Sequence, residues 1–220
     1  MPRDSILREV LDAASASSTG VDGKGKDQPP VFFLPQQSVQ VLSTPTDFYE
    51  ELLHGIKSSR RRISIAALYI GTGKMEKNLL DNLRNTMNDQ PQVKVSLLFD
   101  YNRAYRQQRR SNSAAFTSSV ESITSELFSR RNCPHQMLEQ LRISLLRVPL
   151  AKPASLADSM LEQLPPKIQE MMGVMHMKFF VFDDTVIISG ANLSTDYFTT
   201  RQVKPWRVSM SMLSCASTVR

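Results

Sequence analysis

The sequence predicts an α/β fold, a mixed sheet flanked by helices, and two observations carry that prediction. Between Val39 and Phe99, β-branched runs alternate with amphipathic stretches in the order strand, helix, strand, helix, strand, the pattern of a sheet with crossover connections. Further on, Met175 to Ser189 holds two apolar runs on either side of Asp183-Asp184-Thr185, the pattern of a β-hairpin. With 220 residues and 41% hydrophobic content, the chain is long enough for one well-buried domain.

Residues 1–30 are expected to be a disordered N-terminal segment, because 14–30 are small, polar and rich in turn formers and cannot bury enough apolar surface to offset the entropy of ordering. Order is expected from Val31. Val39 to Leu42 has the β-branched content of a short strand. A marked helix start follows: Thr44 as cap, Pro45 at the first helical position and Asp47 three residues after the cap. Phe48, Leu52 and Ile56 recur every four residues and form one buried stripe through about Lys57.

Ile63 to Ile70 is predicted as a strand ending in Gly71-Thr72-Gly73, Met75 to about Met87 as a helix with Leu79, Leu80 and Leu83 inward, and Val93 to Phe99 as a third strand. Arg103, Arg106, Arg109 and Arg110 then alternate with Tyr101 and Tyr105. This basic segment reads either as a solvated face or as a contact for phosphate or acidic lipid. Residues 116–141 have helical character without a clean stripe, Arg142 to Val148 can form a fourth strand, and 149–172 is Pro-broken and Met-rich.

A net charge of +6 and a pI near 9.5 favour an anionic partner: nucleic acid, a phosphate-bearing metabolite or an acidic membrane surface. Cys133 and Cys215 are too few and too far apart for a zinc cluster and are expected as free thiols. No apolar run approaches the roughly 20 residues of a membrane-spanning helix, so contact with lipid would be peripheral. The first thirty residues mix Arg3, Arg8, Lys24 and Lys26 with Asp4, Glu9, Asp12, Asp22 and Asp27, whereas a mitochondrial transit peptide is poor in acids.

Chemistry concentrates around the hairpin. If Met175 to Phe182 is a strand, His176 and Lys178 project from one face, about 6.6 Å apart along it. An imidazole can attack phosphorus when neutral or protonate a leaving oxygen when charged. Lys178 is a cation suited to the charge gathering on a phosphoryl group, and Ser189-Gly190-Ala191-Asn192 leaves the second strand with small residues whose N–H groups and Asn192 amide can approach an oxyanion. The scheme requires neither a metal nor a cofactor. Alone, a His beside a Lys is more often a surface pair than a catalyst; four such residues around one hairpin weigh against that.

His-x-Lys-x4-Asp followed by Ser-Gly-Ala-Asn resembles the signature of the phospholipase D superfamily, and His176 to Gln202 is most similar to its phosphatidyltransferase branch. Ala67 to Gly73 and Val93 to Asp100 extend the resemblance over about residues 35–202. It implies an α/β/α sandwich and transfer of a phosphatidyl group from CDP-diacylglycerol to glycerol 3-phosphate through a phosphohistidine, with release of CMP. The implied setting is mitochondrial cardiolipin synthesis, with peripheral membrane contact, no nucleic acid and a possible homodimer. By the same resemblance His176 is the nucleophile, Lys178 and Asn192 hold the phosphate with Ser189 beside them, and Asp183 completes the catalytic motif. Its turn position and opposite strand parity make Asp183 an organiser of the hairpin rather than a substrate contact.

The superfamily uses two such motifs, and this chain contains one. His54 and His135 lack a Lys two residues on and are expected to be structural or exposed. The likeness stops after Gln202, and Val203 stands where the family carries an acid able to orient the imidazole. Residues 31–202 are therefore expected to form the domain and 203–220 a divergent tail. The expectation is the first half of such an enzyme, from a truncated transcript or a gene model reading past an exon boundary. The alternatives are an inactive half that binds anionic lipid and a dimeric one-motif phosphodiesterase.

Overall fold

The structure, a computed structural model, describes residues 34, 36–109, 116–128, 139–148 and 173–210. Residues 1–30, His135, the two cysteines, Arg110 and the 149–172 segment lie outside the described residues. A 3₁₀ turn, Gln36–Ser38, leads into β1 (Val39–Val41), α1 (Pro45–Ser58), β2 (Arg62–Ala67), α2 (Lys74–Asp89) and β3 (Lys94–Asp100). Then come α3 (Tyr101–Tyr105), β4 (Gln108–Arg109), β5 (Phe116–Thr117), α4 (Ser119–Phe128), β6 (Leu141–Leu146), β7 (Phe179–Phe182), β8 (Thr185–Ile188), α5 (Thr195–Thr199) and β9 (Trp206–Ser209).

Seven strands form one mixed sheet in the order β1-β9-β8-β7-β2-β3-β6, and β4 and β5 pair separately. β2, β3 and β6 are parallel, while β7 runs antiparallel to β2 and the remaining pairs are antiparallel. This is the α/β sheet with helices that the alternating pattern predicts.

α1 begins where its local signals place it. The Thr44 hydroxyl accepts from the Asp47 N–H at 3.0 Å, and the Asp47 carboxylate accepts from the Thr44 N–H at 2.9 Å, a complete capping box with Pro45 in the first turn. Its buried stripe of Phe48, Leu52 and Ile56 meets Leu79, Leu80, Leu83 and Met87 of α2 over one face of the sheet. On that face Ile187, Phe180, Ile65 and Leu97 lie side by side in register, all buried. Fully burying side chains of this size contributes about 1.5–3 kcal/mol each. The described helices therefore supply one helical layer of the sandwich. The opposite row, Val41, Trp206, Ile188 and Phe179, begins with three exposed side chains.

Several elements differ from expectation. Residues 116–141 are not one helix: β5 and the ten-residue α4 occupy 116–128, and Leu141 already belongs to β6. β2 ends at Ala67, with Ile70 making only an isolated bridge to Leu193. β7 begins at Phe179 rather than Met175, because Phe179 pairs with Ala66 near the end of β2 and the preceding residues run past their partner's ladder. The segment beyond Gln202, expected as a divergent tail, supplies β9, which fills the place between β1 and β8. Trp206 and Val208 alternate with Arg207, whose guanidinium pairs with Glu51 of α1 on the helical side.

Candidate active site

Strand direction brings the functional segments to one end of the sheet. Because β7 is antiparallel to β2, the residues that enter β7 stand beside those that leave β2, β3 and β8. His176 and Lys178 precede β7, Ser189 to Asn192 follow β8, Tyr69 to Gly73 follow β2, and Asp100 ends β3.

The two motif side chains differ in burial. His176 is exposed, whereas Lys178 retains 4% of its accessible surface. The Lys178 ammonium donates to the His176 carbonyl at 3.0 Å, which folds the segment over the amine and, among the described residues, leaves two of its three N–H donors uncommitted. Burial lowers the Lys178 pKa. Partial desolvation of the ring, and then the Lys178 charge, lower that of His176 below 6.5 although the residue as a whole is exposed. The shift favours the neutral form, in which a ring nitrogen can attack phosphorus. Among the described residues no carboxylate bonds the imidazole. Val203, at the position of the absent acid, packs instead beside Gly190, where its methyl carbon is 3.5 Å from the site of an added Cβ.

Asn192 is 6% exposed, and its side-chain oxygen is buried without a hydrogen-bond partner among the described residues. Such a group costs about 1–3 kcal/mol when left unpaired. Its backbone is fixed on both sides: Leu193 bridges Ile70 and accepts from the Gly71 N–H at 2.7 Å, and Ser194 donates to the Asn192 carbonyl at 3.0 Å. Ser189 shapes the same loop, its N–H donating to the Lys178 carbonyl at 3.2 Å and its hydroxyl accepting from Ala191 at 2.8 Å.

Asp183 lies at the other end of β7. It adopts a left-handed φ of 48° in the hairpin turn, which Asp tolerates better than most residues. Its carboxylate accepts from the N–H groups of Arg60, Arg61 and Arg62 at 2.8, 2.9 and 2.8 Å, pinning the turn to the start of β2. Burial raises its pKa, but those donors and the Arg61 charge outweigh burial and hold it below 3.8. Lys178 and Asp183 are separated by the whole length of β7, about 16 Å at roughly 3.3 Å per residue. The structure thus places the segments of His176, Lys178, Ser189 and Asn192 at one end of the sheet and Asp183 at the other, where it anchors the turn.

Two carboxylates that the sequence did not single out support the site. Asp100, 1% exposed, caps α3 through the Arg103 N–H at 2.9 Å and also accepts from the Met175 N–H at 2.8 Å, fixing the backbone that leads into His176. Glu76, 2% exposed in the first turn of α2, accepts from both the N–H and the hydroxyl of Thr195 and so caps α5. An acid three residues after Gly71-Thr72-Gly73 was a visible signal, but its partner lies 119 positions away. His54 is exposed on α1.

A mixed sheet with this constellation at one end defines a phospholipase D-like domain. The family model described as cardiolipin synthase, PLD-like domain, matches residues 52–202, and the chain belongs to that family. Over 179 residues it is 36% identical to the mitochondrial CDP-diacylglycerol–glycerol-3-phosphate 3-phosphatidyltransferase of Gallus gallus, covering 79% of this chain and 28% of that protein. Over 175 residues it is 35% identical to the probable enzyme of the same name from Dictyostelium discoideum, covering 80% and 27%. The chain spans less than a third of the length of either relative. Phosphatidylserine synthase of Haemophilus influenzae shares the fold, with a TM-score of 0.63 at 19% identity over 91% of this chain and 38% of that one.

Proposed function

We propose that this chain carries one half-site of a phosphatidyltransferase acting on CDP-diacylglycerol and glycerol 3-phosphate. The neutral His176 ring attacks the phosphorus next to diacylglycerol, the pyrophosphate bond breaks, and CMP leaves with the electron pair. The free N–H donors of Lys178 neutralise the non-bridging oxygens as charge gathers on them, and the Asn192 loop closes the other side. The hydroxyl of glycerol 3-phosphate then attacks phosphorus, displaces His176 and gives up its proton to a base. That base, a second histidine in the superfamily's scheme, would come from a second copy or from further polypeptide. Asp183 sets the hairpin and does not touch substrate.

The observation that carries the proposal is the buried Lys178 ammonium, bonded to the His176 carbonyl at 3.0 Å and, among the described residues, left with two further donors beside the imidazole's segment. Relatives named for this reaction support the substrates, and those named mitochondrial support a mitochondrial setting. Incubation with CDP-diacylglycerol, without and with glycerol 3-phosphate, tests it. CMP release and an acid-labile phosphohistidine that disappears in His176→Ala are expected. An adduct that survives in His176→Ala would overturn the assignment of the nucleophile.

A further inference from the structure

We infer that Arg201 binds the phosphate of the acceptor and so makes the site select a phosphorylated alcohol over a free one. The inference rests on the reading of the site as one that passes a phosphatidyl group to glycerol 3-phosphate. In that acceptor three carbons separate the attacking hydroxyl from the phosphate. Lys178 and the Asn192 loop serve the reacting phosphorus, so the acceptor's own dianion has to be held by another group. The fold brings Arg201 back to this end of the sheet. The Ile70–Leu193 bridge, with the Gly71 N–H bonded to the Leu193 carbonyl at 2.7 Å, sets Tyr69 beside Asn192, one residue before the bridge on each segment. The last pair of β2 and β7 is Ala66 with Phe179, and beyond it Tyr69 and His176 stand equally far along their segments. α5 follows the Asn192 loop directly, the Arg201 N–H closes its end on the Asp196 carbonyl at 2.8 Å, and the guanidinium interacts electrostatically with Tyr69.

The cation is oriented before any ligand arrives. Its Nη1 donates to the Tyr197 hydroxyl at 3.1 Å, and the group lies 5.0 Å from the centre of the Tyr197 ring. The hydrogen bond to Tyr197, and to a smaller extent the Asp196 charge, raise its pKa further above that of any other side chain. Arg201 is exposed, and among the described residues its remaining side-chain donors make no hydrogen bond. A planar guanidinium held on one side and open on the other presents paired N–H groups to two oxygens of a phosphate monoester. A neutral hydroxyl in the same place would gain far less, which is the basis of the selection.

Equilibrium binding of glycerol 3-phosphate to the full chain tests this, followed by calorimetry and by the Nε–H NMR signal of Arg201, assigned with Arg201→Lys. The signal should move with glycerol 3-phosphate and stay in place with glycerol. Arg201→Gln should weaken glycerol 3-phosphate binding about tenfold, and Arg201→Lys less. Tyr197→Phe keeps the ring and removes the oxygen that orients the guanidinium; it should weaken binding about threefold with unchanged circular dichroism. Equal affinity in Arg201→Gln, or an Arg201 signal that glycerol 3-phosphate does not move, overturns the inference. So does a signal moved by CMP and not by glycerol 3-phosphate, which would give the guanidinium to the nucleotide. A signal moved by inorganic phosphate at lower concentration than by glycerol 3-phosphate would also overturn it, marking an unselective anion site. Adduct formation with CDP-diacylglycerol alone judges the underlying reading separately. Binding at Arg201 without an adduct would leave the phosphate site standing and count against the transferase; an adduct without binding would do the reverse.

Discussion

Glu76 offers the most stringent test of how the site is held. Glu76→Ala removes hydrogen bonds to the Thr195 N–H and hydroxyl and uncaps α5, whose own cap residue, Ser194, makes no side-chain capping bond. A hydrogen bond to a charged group contributes about 1.5–3 kcal/mol and a lost cap costs about 1 kcal/mol, so a loss of about 3 kcal/mol is expected. For a domain of this size that lowers Tm by about 6–12 °C. Gly71 supplies the control. A Cβ there would stand 2.5 Å from one Glu76 carboxylate oxygen and 3.0 Å from its carboxyl carbon. Gly71→Ala should therefore cost about 1–3 kcal/mol in the wild-type background and markedly less in the Glu76→Ala background, a coupling of about 1–2 kcal/mol. Urea denaturation followed by circular dichroism measures all four chains. Equal Gly71→Ala costs in both backgrounds, or a Glu76→Ala loss below about 1 kcal/mol, would refute the reasoning.

Four further outcomes are expected. The His176 imidazole, followed by NMR and assigned with His176→Ala, should titrate below 6.5, so adduct formation stays level as pH falls through that value and drops only lower. Lys178→Met removes the second cause of the shift and should move the midpoint upward; an unmoved midpoint would discount the lysine charge. Asp183→Asn should cost about 1.5–3 kcal/mol near neutral pH. Because the folded pKa of Asp183 is depressed, its contribution is complete above the unfolded value of about 3.9 and fades as pH falls through the folded value, so wild type and variant should converge in acid. Gly55→Ala should destabilise by about 2 kcal/mol although alanine is the better helix former by about 1 kcal/mol, since the new Cβ would overlap the Phe182 ring; a stabilised variant by thermal melting would contradict this.

What the sequence made legible follows the range of the interactions. The start and stripe of α1 depend on residues three or four apart, and Thr44, Asp47, Phe48, Leu52 and Ile56 behave as their spacing predicts. The His-x-Lys-x4-Asp hairpin is similarly local, and its turn forms at Asp183-Asp184. The start of β7 depends on where β2 ends, more than a hundred residues earlier, so periodicity alone extended the strand too far. β9 was hidden because four residues become a strand only between two waiting edges. Asp100 and Glu76 escaped notice for the same reason: each is defined by partners, Met175 and Thr195, that only the fold brings within reach.

The anchoring of Asp183 to the start of β2 has a consequence for which changes of length the chain can accept. With the turn pinned at one end and the ladder fixed by Phe180 and Phe182 in the core, the four residues of β7 act as a gauge that sets how far His176 emerges at the other. One residue inserted between Lys178 and Asp183 would turn the buried phenylalanines outward. A two-residue deletion would keep their faces but draw the imidazole inward by about 6.6 Å. Side chains along the strand can be exchanged for others of similar volume, while their number cannot change, so the motif records a distance as much as a set of reactive groups.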